Sequence, residues 1–136
     1  MRANFTQLYI HCVWATWNRH PLITPNIRNS VYGSITHSAQ DLGCTVIAIG
    51  GIADHIHLLT SLPTTLTVAR LIKNVKGTSS HLINQEVNPN QFFKWQGSYA
   101  AFSVSRRGLD PVSHYIQNQE NHHRQKSPTS DWELPF

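Results

Sequence analysis

A chain of 136 residues with a formal net charge of +4 has room for one modest core, not two. Hydrophobic and aromatic contents of 40% and 10% fit an ordinary globular domain. No apolar run approaches the roughly 18–20 residues that span a bilayer. The start lacks the charged, apolar and small-residue pattern of a secretory signal, so a cytoplasmic location is expected. The basic balance favours an anionic partner such as nucleic acid without proving one.

Residues 8–17, LYIHCVWATW, are rich in β-branched and aromatic side chains and read as a first strand. The connection over 18–25 holds Pro21 and Pro25. From 26 to 42, Ile27, Val31, Ile35 and Ala39 recur every four residues, the apolar stripe of an amphipathic helix that Gly43 would stop. Residues 45–51 and 55–62 read as two strands of a hairpin, with Gly50, Gly51 and Asp54 supplying turn chemistry. Thr67 is placed to cap a second helix running to about residue 85, although Gly77 in its middle is unfavourable. A fourth strand is expected over 98–105, then a third helix opened by Pro111 and running to about residue 123. Residues 127–136, with Pro128 and Pro135, form a short and loosely ordered tail, so 1–126 would be the domain proper.

The resulting order, β-α-β-β-α-β followed by a further helix, is that of an α+β fold with a ferredoxin-like, RRM-like antiparallel sheet. Such a sheet hosts many functions, so chemistry must be argued from particular residues. Cys12 and Cys44 sit singly in apolar segments, with neither metal-ligand spacing nor a disulfide framework, and read as buried thiols.

Three groups of residues offer chemistry. His55 and His57 alternate along a strand and therefore share one sheet face, close enough to converge on one divalent ion. A bare His-x-His also occurs by chance as two ordinary histidines. Tyr115 and Gln119 are four apart on the third helix and share a side. A helical tyrosine is as a rule core packing, and a phenol of pKa near 10 needs help to act as a nucleophile. Arg70, Lys73 and Lys76 recur every three residues on the second helix, and Arg106 and Arg107 precede the third. They suit phosphate contacts, but a solvated helix face explains the first three equally well. Phe92, Phe93, Trp95 and Tyr99 are candidates either for stacking on unpaired bases or for the core.

Taken together, DHIHLL at 54–59, IKNVKGTSS at 72–80, FKWQGSYAAFSVS at 93–105 and YIQNQENHH at 115–123 resemble the single-tyrosine HUH transposases of insertion-sequence family 200/605. HUH denotes two histidines around a bulky hydrophobic residue. The opening HCVWATWNRHPL is similar to the start of that family, and the words stand in its order over nearly the whole chain. The resemblance implies that His55, His57 and Gln119 hold a divalent metal, Mg²⁺ or Mn²⁺, and that Tyr115 is the catalytic nucleophile. It implies a transposase that cleaves and rejoins single-stranded DNA at hairpin-bearing ends through a 5′-phosphotyrosine, working as a homodimer in which one subunit's tyrosine helix can complete the other's site. The basic residues Arg70, Lys73, Lys76, Arg106 and Arg107 would then be DNA contacts. The tail after Arg124 departs from the acidic helical segment with which many relatives continue. Alternatives remain: a host-serving nuclease of chromosomal palindromes with the same chemistry, a non-catalytic module for single-stranded nucleic acid, and, with no carboxylate-rich site to favour it, a small-molecule metallohydrolase.

Overall fold

The computed structural model describes residues 4–119 and 132–134. Four strands, β1 (Tyr9–Ala15), β2 (Val46–Ile52), β3 (His55–Ser61) and β4 (Ala100–Val104), form one antiparallel sheet in the order β2-β3-β1-β4. Helices α1 (Pro25–Asp41) and α2 (Val68–Leu82) separate them as the sequence predicts, and α3 (Leu109–Gln117) follows β4. This is the ferredoxin-like topology, with β3 inserted between the parallel β1 and β2.

Alternation along β1 and β3 divides the sheet chemically. Ile10, Cys12, Trp14, Ile56 and Leu58 point into a core completed by Ile27, Val31, Ile35 and Ala39 of α1 and Leu71, Ile72 and Val75 of α2. On the opposite face a smaller cluster of Ala48, Leu59, Val112 and Ile116 seats α3, with Trp132 packed against it. Burying Val112 and Ile116 contributes roughly 1.5–3 kcal/mol each to holding α3 there. That approach needs a glycine in β2: a Cβ on Gly50 would lie 2.4 Å from the carbonyl oxygen of Ile116.

The element boundaries move for identifiable reasons. Pro25 opens α1 at its first position, where the missing N–H costs nothing, instead of ending the connection before it. Gly43 takes φ +89° just past α1, the left-handed stop expected of it. The first strand ends at Ala15 rather than residue 17, because Thr16 bridges to Trp95 and the chain turns through Trp17–Arg19. Asn18 takes φ 52° in that turn. Thr67 caps α2 by accepting from the Arg70 N–H at 3.1 Å, and α2 passes into a π turn at Ile83–Val87. The third helix begins earlier than Pro111 because a turn at Arg106–Gly108, capped by the Ser105 side chain, feeds directly into it. It ends at Gln117, where Asn118 leaves the helical conformation as its C-cap, short of the expected end near residue 123, which lies outside the described residues. Among the described residues no helix is long and apolar enough to cross a membrane.

Candidate active site

β3 carries His55, His57 and Leu59 on the α3 face of the sheet and Ile56 and Leu58 on the other. Both imidazoles are fully buried. Each has its Nδ1 engaged away from the site: His55 Nδ1 lies 2.8 Å from Asp54 Oδ1, and His57 Nδ1 lies 2.8 Å from Nε2 of His11 on β1. A ring held through Nδ1 presents Nε2 in a defined direction, which is how ligating histidines are ordinarily oriented. Both Nε2 atoms face the carboxylate of Glu133, at 3.6 Å for His55 and 3.4 Å for His57.

α3 and the residues just past its C-cap bring the remaining groups. Tyr115 is 3% exposed, with its ring 5.9 Å from that of His57 and 5.0 Å from that of Trp132. Its hydroxyl donates to Glu133 Oε2. Gln119, 1% exposed, bridges the helix and β3. Its amide N–H donates to the Tyr115 carbonyl at 3.2 Å, and its Oε1 lies 3.2 Å from His55 Nε2. Tyr115, His55, His57 and Gln119 therefore meet within a single chain.

The ionisable groups reflect this crowding. Burial pushes the Glu133 carboxyl up, but the His57 ring 3.4 Å away, the hydrogen bond from Tyr115 and the neighbouring His55 more than reverse it, leaving it at about 2. Burial, with His57 alongside, pushes His11 down to about 3, so it stays neutral beside His57. Asp54 also lies 3.6 Å from the Arg19 guanidinium, which ties the first turn after β1 to the site. Two imidazole nitrogens and a carboxylate oxygen, all within 4.8 Å of one another, are a donor set that fits a divalent cation, and Gln119 adds a neutral oxygen.

Two members of this cluster, His11 and Glu133, carry no sequence motif of their own. His11 was discoverable as a lone polar residue at an alternate position in an apolar strand, in register to meet the His-x-His face. Glu133 had no local signal. It belongs to the stretch expected to be a loose tail, of which Trp132–Leu134 are described, returned against α3. His122 and His123 lie outside the described residues.

The basic residues divide. Arg70 and Lys73 are exposed on α2, across the sheet from the histidines, and Arg106 and Arg107 are exposed in the turn before α3. Lys76 is instead tied to the loop before β4, donating to the carbonyls of Gln96 at 2.7 Å and Ser98 at 3.0 Å. Among the aromatics, Phe93 and Trp95 are core, whereas Phe92 and Tyr99 are exposed.

The chain has relatives among known proteins. The chain is 24% identical over 125 residues to the ISDra2 transposase TnpA of Deinococcus radiodurans, a match spanning 88% of this chain and 89% of that protein. The fold superposes on a crystal structure of a candidate transposase from Deinococcus radiodurans R1 with a TM-score of 0.69, at 23% identity, covering 88% and 95% of the two chains. It also superposes on a REP-associated tyrosine transposase solved bound to a REP hairpin, with a TM-score of 0.66 at 13% identity, covering 93% of this chain and 73% of that one. Residues 4–119, which contain the whole sheet, all three helices, and His11, His55, His57, Tyr115 and Gln119, match the IS200-like transposase family, and the chain belongs to it.

Proposed function

We propose that this protein cuts and rejoins single-stranded DNA at hairpin-bearing ends, with Tyr115 as nucleophile and His55, His57 and Gln119 as metal ligands. The observation that carries the reading is the convergence of the Tyr115 hydroxyl and both histidine Nε2 atoms on one carboxylate, that of Glu133. Glu133 is then a further oxygen ligand that the motif did not include. When bound there, a divalent cation, Mg²⁺ or Mn²⁺, would polarise the scissile phosphate and offset charge growing in the transition state.

The chain's own groups do the rest. Tyr115 Oη attacks phosphorus, the O–P bond to tyrosine forms, and the bond to the 3′-oxygen breaks. The products are a 5′-phosphotyrosine and a free 3′-OH. A carboxylate held at about 2 is too weak a base to ionise a phenol of ordinary pKa near 10 beforehand. Glu133 instead orients the hydroxyl and takes up its proton as the O–P bond forms, and the departing 3′-oxygen receives one in return. A second 3′-OH reverses the attack and joins new strands without an external energy source. Because one chain supplies every group named here, a site of this kind needs no exchange of tyrosine helices within the homodimer that the family resemblance implies.

The test incubates the protein with labelled single-stranded DNA bearing an end hairpin, with Mg²⁺, Mn²⁺ or EDTA, and resolves the products on a denaturing gel. A protein-linked DNA band that needs metal and vanishes in Tyr115→Phe is expected. Tight hairpin binding with no adduct in either protein would instead identify a non-catalytic binding module.

A further inference from the structure

A groove of about 690 Å³ lies on the α2 side of the molecule, between that helix and the loop leading to β4. Lys73, Lys76 and Lys94 line it together with Phe92 and Tyr99, and no acidic residue is among the described residues of its lining. Phe92 is 62% exposed and Tyr99 36%, a high exposure for large rings. The wall is preformed, because Lys76 spends its ammonium on the Gln96 and Ser98 carbonyls. Asn84 holds the Phe93 carbonyl at 2.9 Å. That leaves Lys73 and Lys94 as the exposed cations at the rim.

The groove lies at the same end of the sheet as the histidine site. Its wall is hydrogen-bonded to the end of β1, Trp17 N–H to the Lys94 carbonyl at 2.9 Å and Gln96 N–H to the Ala15 carbonyl at 2.9 Å. Ala15 pairs with His55, and Thr16 N–H donates to the Asp54 carbonyl at 3.0 Å. Groove and histidines thus flank the same end of the sheet on opposite faces, with Arg19, Trp17 and Lys94 at the edge between them. Lys94 Nζ sits 4.1 Å from the centre of the Trp17 ring on that edge.

We infer that the groove is a subsite for unpaired nucleotides of the DNA strand flanking the cleavage position. In it, bases stack on Phe92 and Tyr99 and phosphates lie against Lys73 and Lys94. Cations without acids select a polyanion, and exposed rings between them suit bases free of a duplex, the combination used by proteins that hold single strands. The subsite deepens the proposed DNA chemistry and rests on it for the identity of the strand.

Its test does not depend on catalysis. Binding of a fluorescein-labelled oligo(dT) of about 12 nucleotides, within the usual length for such sites, is measured by anisotropy in EDTA on the full chain carrying Tyr115→Phe. Adding Phe92→Ala and Tyr99→Ala is expected to raise Kd by about tenfold or more. Lys73→Glu, on an exposed helix position, is expected to raise Kd and flatten its salt dependence. Substituting 5-iodouracil for thymine should give a photo-cross-link to the peptide containing Phe92 and Tyr99. Unchanged Kd in all three variants, or cross-links confined to other peptides, overturns the subsite while leaving any Tyr115 adduct in the wild-type chain intact. Loss of the adduct alone, with these binding effects present, refutes the catalytic reading and not the groove.

Discussion

Gly50→Ala tests whether the seating of α3 sets the chemistry. The new Cβ would lie 2.4 Å from the Ile116 carbonyl oxygen and 3.1 Å from Ile116 Cγ2. Ordinary contact begins near 3.4 Å, so α3 and β2 must part by roughly 1 Å. Neither side can yield cheaply, since one is backbone and the other is a central position in a paired strand next to His57. Overpacking of this kind costs about 1–3 kcal/mol. The larger effect falls on Tyr115, the proposed nucleophile one residue before Ile116, because a displacement of about 1 Å at a reacting group costs on the order of 100-fold in rate. Urea denaturation should show the stability loss, and single-turnover formation of the tyrosine–DNA adduct should slow by about two orders of magnitude. Oligo(dT) binding on the far face should stay as in the wild type. Gly77→Ala is the control: a Cβ there meets nothing within 4 Å, and the change should stabilise α2 by up to about 1 kcal/mol. An adduct rate for Gly50→Ala within a few-fold of wild type would refute the idea that close α3 docking positions the nucleophile.

Three other outcomes are expected. Removing the His11 ring frees His57 Nδ1, so His11→Ala should weaken Mn²⁺ binding by about 10- to 100-fold in calorimetry while the far-ultraviolet spectrum is retained; undiminished affinity would show that His11 merely fills space. Lys76→Met leaves two loop carbonyls without their donor and should lower stability by about 1–3 kcal/mol in urea denaturation, where a purely DNA-contacting lysine would leave it unchanged. Burial, with Cys44 nearby, pushes the Cys12 thiol up to about 12 and raises Cys44 as well. At about 12 the Cys12 thiol stays protonated in the folded protein across pH 7–9, where an unfolded thiol of pKa near 8.5 is increasingly thiolate. Iodoacetamide should therefore label both slowly without urea and rapidly with it, the contrast widening as pH rises; equal rates by mass spectrometry would contradict the burial.

The amino-acid sequence by itself determined the order of strands and helices, since period-two and period-four patterning is a local property of consecutive side chains. It placed His55 and His57 on one sheet face for the same reason, and put Tyr115 one turn from Gln119 on a helix. Thr67 as a cap and Gly43 as a stop were equally legible, because capping depends on residues three or four apart. What only the tertiary structure decided is which distant groups meet those residues. His11 becomes the partner of His57 through the β1–β3 register, a pairing between positions 46 residues apart. Glu133 enters because Trp132 packs on Tyr115, and nothing in the local sequence of the tail specifies that return. The basic residues of α2, evenly spaced and equivalent on paper, separate into a structural Lys76 and exposed Arg70 and Lys73 once the loop before β4 folds over the helix. Periodicity reports what a segment turns toward its own face, whereas long-range packing decides what stands opposite.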